Sequence, residues 1–147
     1  MESLVHIVAV KSKTEAQQLE LAYSCGHVYI GSSTDGKAMN GPGKFSWSSG
    51  VSFQGEFHSN VIQGEGMFCW LDGSKYEGQT AAGLRHGSGT FVGPRGVRYE
   101  GQWKAGRRHG FGRIQYEGGD VYEGEWSEDM REGHGTLTHA NGDVYDG

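Results

Sequence analysis

The sequence predicts an all-β protein: an elongated single-sheet solenoid of consecutive β-hairpins. Three observations carry this expectation. The 27 glycines among 147 residues would signal a flexible linker if scattered, but they recur at fixed offsets. The aromatic residues keep the same period: Phe53, Tyr76, Tyr99, Tyr122 and Tyr145 follow one another at intervals of 23 residues, and Tyr29 precedes Phe53 by 24. Around each of them the side chains alternate with a period of two, the signature of a strand with one covered face.

Each repeat opens on a strand. In "YEGQW", residues 99–103, Tyr99, Gly101 and Trp103 share one parity and therefore one face. Seven residues after the leading aromatic comes Gly36, Asn60, Gly83, Gly106 or Asp129, residue types that tolerate the left-handed backbone of a tight turn. A G-x-G pair then opens the second strand, at Gly41/Gly43, Gly64/Gly66, Gly87/Gly89, Gly110/Gly112 and Gly133/Gly135. The alternation resumes on the glycine face with Phe45/Trp47, Phe68/Trp70, Phe91, Ile114/Tyr116 and Leu137/His139. Asp72-Gly73, Gly118-Gly119 and Asn141-Gly142 predict two-residue hairpin turns into the next repeat. Five full repeats result, at 29–52, 53–75, 76–98, 99–121 and 122–144, with the start of a sixth at 145–147. Rings lying over bare glycine backbone reconcile so much glycine with order, so the aromatic stripe reads as core, with Gly110 and Gly112 beneath neighbouring rings. Only Phe111 falls off the pattern.

Residues 1–28 are expected to cap the first repeat. "LVHIVAV" predicts a strand, and "LELAYSCGHVY" aligns with "GTLTHANGDVY" as a half-repeat, with Gln17 and Leu19 where the G-x-G would stand. At the other end "YDG" begins a repeat and stops. That predicts an unpaired edge open to a second copy of the chain, another protein or further chain of a longer polypeptide.

These residues carry a resemblance. "YEGQWKAGRRHGFGRIQYEGGDV" and "YEGEWSEDMREGHGTLTHANGDV" resemble MORN repeats, whose pattern is YxGxW, a short loop, GxG and a hairpin turn. The likeness spans residues 29–147; Ser33 and Thr80 stand where the pattern has Trp, so those two hairpins are expected to pack less well. It implies a scaffold that binds protein partners, with a cytoskeletal, ciliary or flagellar assembly as one setting, and any catalytic domain outside the repeats. It implies no cofactor.

Composition narrows the classes further. A formal net charge of −5 argues against nucleic-acid affinity. Two cysteines, Cys25 and Cys69, make no disulfide framework, and the opening "MESLVHIVAVKSK" lacks a signal peptide's basic flank and long apolar run, so a reduced, cytoplasmic chain is expected. The charge is uneven, at −3 over residues 1–84, +6 over 85–116 and −8 over 117–147.

No enzyme is expected. His86 and His109 share a repeat position two strands apart, roughly 9–10 Å, too far to hold one zinc ion. The G-x-G pairs precede no helix, unlike a dinucleotide fold. The acidic run Glu123, Glu125, Glu128, Asp129 and Glu132 reads as a solvated face. The basic segment is the candidate binding site: Arg85, His86, Lys104, Arg107, Arg108 and His109 are expected to stack along one edge as a protein-partner surface. Anionic phosphoinositide lipid is the alternative ligand, at about 1 kcal/mol per basic residue.

Overall fold

The computed structural model describes residues 7–13 and 18–147, with side chains from Gln18 onward. These residues form one antiparallel sheet of 13 strands in strictly sequential order. Two strands lie ahead of the first repeat, β1 (Ile7–Lys13) and β2 (Gln18–Tyr23). The five repeats then supply one hairpin each: β3 (Val28–Ser33) with β4 (Met39–Ser46), β5 (Ser52–His58) with β6 (Val61–Cys69), and β7 (Lys75–Ala81) with β8 (Leu84–Val92). The last two are β9 (Arg98–Lys104) with β10 (Arg107–Gln115), and β11 (Val121–Ser127) with β12 (Met130–Thr138). β13 (Val144–Asp146) pairs with β12. Part of the predicted strand "LVHIVAV" lies in β1; residues 1–6 and 14–17, Gln17 among them, fall outside the described residues.

The register explains the glycine count. Gly31, Gly43, Gly55, Gly66, Gly78, Gly89, Gly101, Gly112, Gly124 and Gly135 pair with one another in a single row across β3 to β12. Over this row lie the leading aromatics. A Cβ at Gly43, Gly66, Gly89, Gly112 or Gly135 would run into the ring of Tyr29, Phe53, Tyr76, Tyr99 or Tyr122 respectively. The ring face of the sheet is thereby a core without a second layer: Tyr29, Phe53, Tyr76, Tyr99, Phe57, Trp103, Ile114, Tyr122 and Trp126 are buried on it. We call this the inner face.

The tyrosine hydroxyls are held as well as the rings. Tyr29, Tyr76, Tyr99 and Tyr122 each donate to the carbonyl three residues on, at 2.7, 2.6, 2.9 and 3.2 Å. Burial pushes the pKa of Tyr29, Tyr76 and Tyr99 up to about 12.

Two kinds of turn alternate. Within repeats two to five the turn is a two-residue type I′ loop, with both residues left-handed: Ser59-Asn60, Ala82-Gly83, Ala105-Gly106 and Glu128-Asp129; the first repeat has a longer loop between Ser33 and Met39. The turns between repeats differ from the two-residue loops expected. The Trp70 N–H donates to Ser74 at 3.0 Å and the Gly73 N–H to Trp70 at 3.1 Å, so Leu71, Asp72 and Gly73 form a three-residue loop. In it Gly73 alone is left-handed, which is a type I turn closed by a glycine bulge. The dipeptide ending in glycine suits both turn types, and the pairing beyond it decides between them.

Gly110 departs from its expected place. It does not lie under a ring. It sits at φ +64 inside a bulge, where the β9–β10 register slips between Arg108 and Gly112. The bulge frees a backbone donor, and a side chain satisfies it: Gln102 Oε1 accepts the Phe111 N–H at 2.8 Å. Gln79 does the same for Ser88 at 2.8 Å and Glu125 for His134 at 2.9 Å.

Candidate binding face

Strand alternation divides the predicted basic edge between two faces. Arg85 pairs across the ladder with Thr80, and Arg108 with Trp103, so both arginines lie on the inner face. Lys104 and Arg107 pair with each other on the outer face, while His86 and His109 fall in the bulges that follow Arg85 and Arg108. The six side chains therefore form no single patch.

On the inner face each arginine is built into the aromatic core. The Arg85 guanidinium lies 4.6 Å from the Trp103 ring centroid and within 5.9 Å of Trp70 and Phe91, and its Nη2 donates to the Gly106 carbonyl at 2.8 Å. That burial lowers its pKa from the ordinary guanidinium value, with Asp129 opposing the shift. Arg108 repeats the arrangement one hairpin on. It stacks 4.5 Å from Trp126, donates from Nη2 to the Asp129 carbonyl at 2.9 Å and pairs through Nε with Asp129 Oδ1 at 3.2 Å.

Arg131 continues the series 5.1 Å from the Tyr122 ring. The basic cluster in the sequence does not include it, because Arg131 stands alone among acids. The signal was the period: Met39, Ile62, Arg85, Arg108 and Arg131 occupy one repeat position at intervals of 23.

The acidic run is more than a solvated face. Glu128 pairs with Arg107, Asp129 holds Arg108, and Glu125 caps a bulge. The glycine-flanked basic loop is likewise tied down, since the N–H groups of Gly106, Arg108 and Phe111 are bonded to Arg85 O, Asp129 Oδ1 and Gln102 Oε1. Those three donors are spent inside the fold and do not point at an anion.

At the positions expected to pack poorly, Ser33 and Thr80 are buried. The Thr80 hydroxyl donates to the Gly64 carbonyl at 2.6 Å. Trp103 and Trp126, at the same repeat position, donate their indole N–H to Gly89 and Gly112 at 3.1 Å.

Toward the turns between repeats the inner face carries a band of half-buried rings, Phe45, Trp47, Trp70, Phe91 and Tyr116. Phe68 lies between two of them, its plane 22° from Trp47 and 23° from Trp70. Trp47 and Trp70 bond no carbonyl through their indole N–H among the described residues, unlike Trp103 and Trp126. Within the described strands no Asp or Glu shares the inner parity; the charged side chains there are Arg85, Arg108 and Arg131.

A sequential antiparallel sheet of repeated hairpins, cored by one leading ring per repeat, defines a β-hairpin repeat solenoid. The MORN repeat model matches residues 29–52, 53–75, 76–98, 99–121 and 122–144, and the chain belongs to that family. Among curated proteins, none matches it by sequence. Two solved structures from Drosophila melanogaster are similar to it, the first of them in fold. The SAS-4 TCP domain in complex with a proline-rich motif of Ana2 is 12% identical, with a TM-score of 0.51 over 99% of this chain and 97% of that one. The TCP10c domain of Sas-4 is 12% identical, with a TM-score of 0.46 over 94% and 98%. Among the described residues no helix is long and apolar enough to cross a membrane.

Proposed function

We propose that the chain is a non-enzymatic scaffold or adaptor that binds a protein partner along the inner face of its sheet. The observation that carries this reading is the continuity of that face. One ring per hairpin and one glycine row run across the repeats, an arginine series runs across the last three, and the repeated positions account for almost every aromatic residue. Such a surface suits an elongated ligand better than a small substrate, which binds in an enclosed pocket. The SAS-4 TCP domain, a sheet of similar fold, holds a proline-rich motif of another protein, in keeping with this reading. A cytoskeletal or ciliary assembly is the setting we infer from the family.

The lipid alternative loses support from the geometry. Its four cations divide between the two faces of the sheet, and Arg107 and Arg108 are already paired with Glu128 and Asp129. Affinity capture from cells with the intact chain, followed by quantitative mass spectrometry, tests the reading. Reproducible protein partners are expected; capture of lipid vesicles containing phosphoinositide with no protein partner would contradict it.

A further inference from the structure

We propose that the ligand of the inner face is an extended acidic peptide segment running across the strands, with its carboxylates on Arg131 and Arg85. The proposal rests on the scaffold reading and adds the chemistry of the partner. Charge complementarity is the first argument. The chain is acidic overall, yet its described strands place their acids on the outer face and leave arginines as the charges on the inner one. Asp129 neutralises Arg108, whereas neither Arg85 nor Arg131 pairs with a carboxylate among the described residues. A guanidinium stacked on a ring keeps its edge donors available for a bidentate carboxylate.

Spacing is the second argument. Successive arginines of the series stand two strands apart, about 9.5 Å, and an extended chain rises about 3.3 Å per residue. Arg85 and Arg131 are four strands apart, about 19 Å, so a peptide crossing the strands would present carboxylates to both from positions about six residues apart, passing the neutralised Arg108 between them. The third is the band of half-buried rings. The indole N–H groups of Trp47 and Trp70 are donors for main-chain carbonyls, which an extended ligand leaves unbonded. A strand-like or polyproline ligand fits this requirement; a helix, whose carbonyls are internally bonded, does not.

The test is selection of phage-displayed random 12-residue peptides on the immobilised intact chain. Selected peptides are then measured by fluorescence polarisation against the wild type, Arg131→Glu and the outer-face double variant Lys104→Gln/Arg107→Gln. Arg131 is exposed and its side chain, stacked on Tyr122, makes no hydrogen bond or ion pair among the described residues, so its variant is expected to fold; circular dichroism checks this. Enrichment of Asp and Glu is expected, with a loss of about tenfold or more in Arg131→Glu, as for one charge-assisted pair, and no change in the outer-face variant. Enrichment of basic or uncharged peptides, equal binding by Arg131→Glu, or no enrichment at all would overturn the proposal. Tighter binding of polyuridylate than of the selected peptides would do so too, by showing a general polyanion surface. Because partner capture from cells is a separate measurement, protein partners bound without acidic segments would sink this inference and leave the scaffold standing.

Discussion

At the scale of single residues, the fold depends on rings seated on glycine. Replacing Gly112 by Ala puts a methyl group into the Tyr99 ring, which must leave its seat. The expected cost is about 2–3 kcal/mol in urea unfolding, the range for overpacking a filled site. Gly73→Ala separates clash from backbone strain. A Cβ there meets nothing within 4 Å, but the residue is at φ +87, so a cost of about 1 kcal/mol is expected from the left-handed backbone alone. The tyrosine hydroxyls give a pH signature. Their folded pKa is raised from 10.0 to about 12 in Tyr29, Tyr76 and Tyr99. The stability they contribute is therefore fully present below pH 10 and is lost as pH rises toward 12. Tyrosinate absorbance should appear together with unfolding in that window, and Tyr99→Phe should shift the transition upward. Titration of these tyrosines near pH 10 with the sheet intact would contradict the burial argument.

At the scale of the hairpin, the two turn types set what can be changed. Ala105 sits at φ +48, in a type I′ turn that favours Asn followed by Gly. Ala105→Asn should stabilise the protein by about 0.5–1 kcal/mol, read as a shift in the urea midpoint. Gln102→Met should cost about 1 kcal/mol, since the bulged Phe111 N–H loses its acceptor. Gln102→Glu, which copies Glu125 of the next repeat, should restore most of that loss. The hairpins themselves were legible in the sequence, because ring, turn and glycine positions each repeat with fixed residue types. The bulge at Gly110 was not, because a glycine within a strand reads alike whether it lies beneath a ring or slips the register. Its marker was present in the acceptor side chains Gln79, Gln102 and Glu125, three residues after each tyrosine. The meaning of those acceptors depends on pairing that alternation does not reveal.

At the scale of the whole molecule, the sheet has one face that holds it together and could also receive a partner. The repeat boundaries and the single sheet follow from a period that survives across five copies. The candidate site was legible only in part: Arg85 and Arg108 were singled out, but clustering in sequence joined them to Lys104 and Arg107 on the opposite face. Arg131 went unnoticed because it lies in an acidic segment, and its membership in the series shows only when the 23-residue frame is laid over the charges. Site-specific photo-cross-linking tests the central claim most directly. Benzoylphenylalanine would replace Phe91 and Tyr116, rings on the inner face, and Phe111, a ring 56% exposed on the outer face. Cross-links to the captured partner from the Phe91 and Tyr116 positions, and none from Phe111, are the predicted result. Cross-links from Phe111 without any from Phe91 or Tyr116 would contradict the account.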